Sequence, residues 1–176
     1  NFSASELGQV SLALNTIFLP TYMIGLALGN VYFERASKLN LHNDDLRNLW
    51  LKNFKYLTIF SLPFFTFIFF IAPIIYPIFF GPEWEQAGEY AQIFAIPAML
   101  SFISSPMDRT CLVRRNTFWG PFWHALRAIT TLAVCMISFS KDLNSLYFVI
   151  ALALSMSLMY LLDMIVQFLF SLNKLN

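Results

Sequence analysis

Arg127 and Asp163 each stand inside a stretch that is otherwise apolar. An arginine within a bilayer costs at least about 2.5–3.5 kcal/mol on insertion scales, so it requires water, an acidic partner or an anionic ligand. Counting ten residues of helix from the start of its segment near Thr117 puts Arg127 about 15 Å deep, close to the midplane. Two arrangements satisfy it. One is a fixed bridge to Asp163 between packed helices. The other is a wet cavity in which the guanidinium meets an anion. His124 shares the face of Arg127 one turn earlier, where it can serve as a proton site or act as a hydrogen-bonded packing residue.

These residues belong to polar stripes. Gly120, His124, Arg127, Thr131, Cys135 and Ser138 recur every three or four positions and fall within about 80° of arc on a helix. Pro97, Ser101, Ser104 and Asp108 repeat the pattern, as do Ser11, Asn15, Tyr22 and Gly29, and Ser157, Tyr160, Asp163 and Gln167 make a broader one. A helix facing only lipid has no use for such side chains, so the stripes mark a surface turned away from lipid. The candidate cavity residues are Arg127, His124, Thr131, Asp163, Gln167, Asp108 and Asn15. Gly25 and Gly29 suit close helix packing.

Nothing in the chain points to catalysis or to a bound metal. The two histidines, His42 and His124, lie far apart, and no acid–base cluster of the kind a transferase needs is visible. Cys111 and Cys135 form no CxxC pattern and read as packing residues.

Elements that hold such stripes must be membrane helices. The chain is 58% hydrophobic and 12% charged, with twenty phenylalanines, which is more apolar surface than a soluble globule of 176 residues hides. Five segments can span a bilayer: residues 8–33, 56–80, 88–110, 117–139 and 146–170. The expected fold is all-α, a polytopic helix bundle forming a single domain over 1–176. The second span carries Pro63, Pro73 and Pro77, expected to kink it, and with phenylalanine all round and no polar stripe it is placed against lipid. The chain begins Asn1-Phe2-Ser3, which reads as an excerpt of a longer protein with no signal peptide.

Lysine and arginine set the orientation. There are none before the first span, five between the first and second, none between the second and third, and three between the third and fourth. The N-terminal end is therefore expected outside and the C-terminus in the cytoplasm. Glu83, Glu85 and Glu89, in FFGPEWEQAGEYA, then stand outside as a helix cap on a solvated turn, favoured over a cation site, with Pro82 at a first helical position. On the inner side, Leu46, Leu49, Trp50, Phe54 and Leu57 form one apolar face over 44–55, capped by Asn43 or Asp44. Two readings fit: a short amphipathic helix on the cytoplasmic leaflet, or an extension of the second span.

FLPTYMIGLALGNVYFERASKL (18–39), SLPFF (61–65) and FFGPEWEQAGEYAQIFAIPAML followed by ISSPMD (79–108) resemble the C-terminal part of bacterial polysaccharide biosynthesis proteins. These are the O-antigen flippase-like branch of the multidrug/oligosaccharidyl-lipid/polysaccharide exporter superfamily. The resemblance implies a second-lobe fragment of a two-lobe transporter in the bacterial cytoplasmic membrane. It would flip a polyprenyl-pyrophosphate-linked oligosaccharide, with an N-terminal lobe of the same protein as partner and H+ or Na+ as coupling cation. No other cofactor and no nucleic acid are expected. The alternatives are a related drug or metabolite exporter and a non-transporting membrane assembly subunit.

Overall fold

A computed structural model describes residues 3–41 and 45–172. The helices are α1 (Ala4–Leu41), α2 (Leu46–Phe80), α3 (Glu85–Ser104), a single turn α4 (Thr110–Val113), α5 (Trp119–Ser140) and α6 (Ser145–Ser171), with a 3-10 turn at Pro82–Trp84. Among the described residues there is no strand, and the fold is the all-α bundle expected. Four helices, α1, α2, α5 and α6, are long and apolar enough to cross a membrane.

Local sequence explains the ends. Ser3 and Glu6 make a reciprocal capping box at the start of α1: the Glu6 N–H donates to Ser3 Oγ and the Ser3 N–H donates to Glu6 Oε2. Asp45 caps α2 by accepting from the Arg47 N–H at 2.9 Å, and Asn144 caps α6 by accepting from the Tyr147 N–H at 3.0 Å. Asn43, Asp44, His42 and Lys174 lie outside the described residues. Gly81, at φ 109°, ends α2 in a conformation that L side chains rarely adopt, and Pro82 opens the 3-10 turn. One orphan amide of α3 is met from across the bundle: the Ala87 N–H donates to Gln9 Oε1 at 2.9 Å, and Gln9 Nε2 donates in turn to the Glu83 carbonyl of the 3-10 turn.

Several boundaries differ from the sequence expectation. Residues 46–80 form one helix through Pro63, Pro73 and Pro77, so the 46–55 stretch extends the second span. Its apolar face is turned inward: Leu46, Trp50 and Leu57 are buried with Tyr32, Ala36, Ile103, Met107 and Met164. An apolar face covered by protein has no need of lipid. The third span ends at Ser104, six residues short of the expected end: Ser105 still donates to the Ser101 carbonyl, but Pro106 has no amide with which to continue the ladder.

Two buried clusters fix the helix directions. One joins Val10, Ala13 and Ile17 of α1 to Phe65, Ala72 and Tyr76 of α2, to the first half of α3 and to Val149–Ala153 of α6. The other joins the opposite ends of the same helices. Hence α1, α3 and α6 run one way and α2 runs the other. Trp119 packs on Phe170, and Val134 packs against the first cluster, so α5 also runs against α6. All the lysines and arginines of the connections before α2 and after α3 gather at one end, and Glu6, Glu83, Glu85 and Glu89 at the other.

Helix α3 is the axis of the bundle, packing on α1, α2 and α6. Its 20 residues include Ala87, Gly88, Ala91, Ala95 and Ala98, all buried. Small residues let neighbouring backbones come close where lipid offers no hydrophobic drive between helices. At Gly88 an added Cβ would lie 2.8 Å from the Ala72 carbonyl oxygen and 2.9 Å from Pro73 Cα. Helix α2 buries one seam there and presents Phe60, Phe64, Phe67, Phe70 and Ile74 outward.

Candidate functional site

Helices α3 and α6 form the floor of a groove whose sides are α1 and α5, since α1 packs on α3 and α5 on α6. The groove holds a cavity of about 480 Å3. Into it come Asn15 and Tyr22 from α1, Ser104 from α3, Ser105 and Asp108 from the following turn, His124 and Arg127 from α5, and Tyr160 and Asp163 from α6. The polar stripes therefore converge on one surface, because 3.6-residue periodicity puts each stripe on a single helix face and the packing turns those faces together.

Arg127 is the ninth residue of α5, about 12 Å along its axis. Its guanidinium donates from Nη2 to Tyr160 Oη at 3.0 Å and sits 4.9 Å from the centre of the same ring. A cation over an aromatic face gains from the ring quadrupole, about 0.5–2 kcal/mol depending on desolvation. Among the described residues this is the side chain's one hydrogen bond, so the other N–H donors of Arg127, which lines the cavity, have no protein acceptor there.

The Arg127–Asp163 bridge does not form. Among the described residues the one ion pair is Lys38–Glu34, on the surface of α1. Asp163 is 2% exposed and turns to α3, accepting from Ser104 Oγ at 2.6 Å and from Gln167 Nε2 at 3.3 Å. Gln167 Oε1 in turn accepts from the Cys111 N–H at 3.3 Å. This chain of bonds ties α3, α4 and α6 and leaves Arg127 without a fixed carboxylate.

The other candidates spread along the same groove. Asn15, Asp108, His124 and Asp163 line the main cavity with Arg127. Thr131 lines a neighbouring cavity of about 200 Å3, which Arg127 also borders. Gln167 lines a third, of about 360 Å3, which shares Asp108, Trp123, His124 and Asp163 with the first. Ser138 is buried at the far end of its stripe, and Cys135 is exposed, so only Cys111 of the two cysteines packs inside. Gly25 and Gly29 do pack closely, against Ser105 and against Pro106 and Arg109.

Sequence reasoning did not single out Tyr160, Ser104, Ser105 or Trp123. Tyr160 and Ser104 were visible as stripe members. Trp123 and Ser105 lie one position off their stripes and carried no signal, since only the packing of α6 and α1 brings them to the cavity wall. At the end of the groove near the Lys/Arg cluster, Arg114 donates to Asn40 Oδ1 at 2.8 Å and to the Phe170 and Ser171 carbonyls, closing the C-terminus of α6 onto α1.

A family model described as polysaccharide biosynthesis protein matches residues 1–89, which comprise α1, α2 and the first turn of α3; Arg127 and Asp163 lie beyond the match. No curated protein and no solved structure matches the chain. With just over half of its residues matched, and with several apolar helices of membrane-spanning length, the chain is a multi-pass membrane protein with a role in polysaccharide synthesis or export and belongs to the polysaccharide biosynthesis protein family.

Proposed function

We propose that the chain is the cavity-bearing part of a transporter that flips a lipid-linked oligosaccharide across the bacterial cytoplasmic membrane. The observation that carries this reading is Arg127: a mid-helix guanidinium lining a cavity, held by a tyrosine and, among the described residues, paired with no carboxylate. Such a group is stable beside water or an anion. A pyrophosphate headgroup fits it, because a planar guanidinium binds phosphate oxygens bidentately through donors that Tyr160 leaves free.

The protein acts on its cargo without bond chemistry, as a carrier and not as an enzyme. A second lobe of the same protein faces the groove, and rocking of the two lobes exposes Arg127 to each leaflet in turn. Protons or sodium ions drive the cycle. The end bearing the lysines and arginines lies in the cytoplasm, together with the C-terminus, by the positive-inside tendency of short loops.

The test is Arg127→Ala in the full-length protein, scored by polysaccharide export in cells and by the amount of protein in the membrane. Export lost with normal insertion is the expected result. Export at the wild-type level would reduce Arg127 to a packing residue and remove the basis of the proposal.

A further inference from the structure

The third cavity, of about 360 Å3, continues the groove from Arg127 toward the end of the bundle where α5 begins. Its wall combines two kinds of side chain. Trp119 and Trp123 form one side, stacked at 5.6 Å with 19° between their planes. Asp108 and His124 line the same cavity and offer an acceptor and a donor, while Asp163 and Gln167, which also border it, are held by their bonds to Ser104, Cys111 and each other. Resting on the transport reading above, we infer that this cavity is a saccharide subsite, which takes the sugar next to the pyrophosphate while Arg127 holds the phosphates.

A pyranose ring needs these two surfaces. Its C–H face is apolar and weakly positive and packs on the negative face of an aromatic ring, while its hydroxyls at the rim need several polar partners at once. Tryptophans near a membrane surface are commonly anchors in the headgroup region, but anchors face lipid. Trp123 is 6% exposed, and Trp119 is half-buried against Phe170. Both border the cavity. The spacing also suits the cargo. Trp119 is eight residues before Arg127, about 12 Å along the helix, with Trp123 halfway between. One helix thus presents a phosphate-binding cation and then an aromatic wall in the order in which the lipid-linked sugar presents phosphate and saccharide. Gly120, on the same wall, leaves the space open: nothing lies within 4 Å of where its Cβ would stand.

The experiment measures binding to the full-length protein in lipid nanodiscs of two probes, polyprenyl pyrophosphate without sugar and the same lipid carrying one N-acetylhexosamine. The wild type should prefer the glycosylated lipid by about threefold to tenfold, the range a single aromatic contact supplies. Trp119→Leu should remove that preference while leaving the affinity for the bare lipid unchanged, and Trp119→Phe should keep most of it. Should Trp119→Leu fail to fold, Gly120→Phe adds a ring at a position whose Cβ meets no atom within 4 Å and should remove the preference in the same way. Equal wild-type affinity for the two lipids, or a preference that survives both Trp119→Leu and Gly120→Phe, overturns the saccharide subsite and leaves the transport reading standing. If the wild type binds neither lipid, the transport reading falls and the subsite with it.

Discussion

Replacing Gly88 by alanine tests the packing on which the groove depends. The new methyl would sit 2.8 Å from the Ala72 carbonyl oxygen, 2.9 Å from Pro73 Cα and 3.1 Å from Tyr76 Cβ. Carbon contacts are normally about 3.5–4.0 Å, so α2 would have to retreat by roughly 0.5–1 Å. The atoms it must displace are backbone and a proline, not the end of a flexible side chain. A gap of that size forfeits about a quarter to a half of each dispersion contact along the seam, and overpacking of this kind costs about 1–3 kcal/mol. Alanine recovers about 0.8–1 kcal/mol of helix propensity over glycine, so the net loss should be about 0–2 kcal/mol, and the whole cost of about 1–3 kcal/mol should show against a glycine-to-alanine control that makes the same gain without the clash. Between membrane helices little else compensates, because packing itself drives association. The assay is thermal unfolding of the full-length protein in detergent, with Gly120→Ala as the control, since its methyl meets open space. Gly88→Ala should unfold several degrees lower and Gly120→Ala should not. If Gly88→Ala were as stable as Gly120→Ala, the close approach of α2 and α3 would be refuted.

Gly25→Ala should be milder, because its Cβ meets the end of the Ser105 side chain, which can rotate, and no backbone atom; the same melting assay should place it between the other two. Ser104→Ala removes a donor from buried Asp163 and should destabilise by about 1.5–3 kcal/mol, read by denaturant titration in detergent. Exchanging Arg127 and Asp163 in one double variant should not restore export lost in either single variant, because Asp163 is bonded to Ser104 and Gln167 and not to the arginine; recovery in the export assay would reinstate the bridge. Glu89→Cys should be labelled by a membrane-impermeant maleimide added outside cells and Lys52→Cys only after lysis, since the two exposed positions lie at opposite ends of the bundle.

The membrane helices and their polar faces follow from the linear pattern alone. Long apolar runs allow no other backbone in lipid than one that satisfies its own hydrogen bonds, and a stripe at 3.6-residue spacing lies on one face whatever surrounds it. Asn15, His124, Arg127 and Asp163 were legible as cavity candidates for that reason. What periodicity does not contain is the rotation of one helix against another. The apolar face of 46–57 reads equally as a lipid-binding surface or a buried seam until Tyr32, Ile103 and Met164 are seen to cover it. Asp163 pairs with Ser104 and not Arg127 because α6 turns that face toward α3, a choice made by close packing at small residues of the central helix. Trp123 and Ser105 enter the cavity wall for the same reason: a residue one position off a stripe reaches the cavity only when a neighbouring helix carries the wall around to it. Sequence determined which faces avoid lipid, since that depends on side-chain type and helical pitch; tertiary structure decided which of those faces meet, since that depends on how closely the backbones approach.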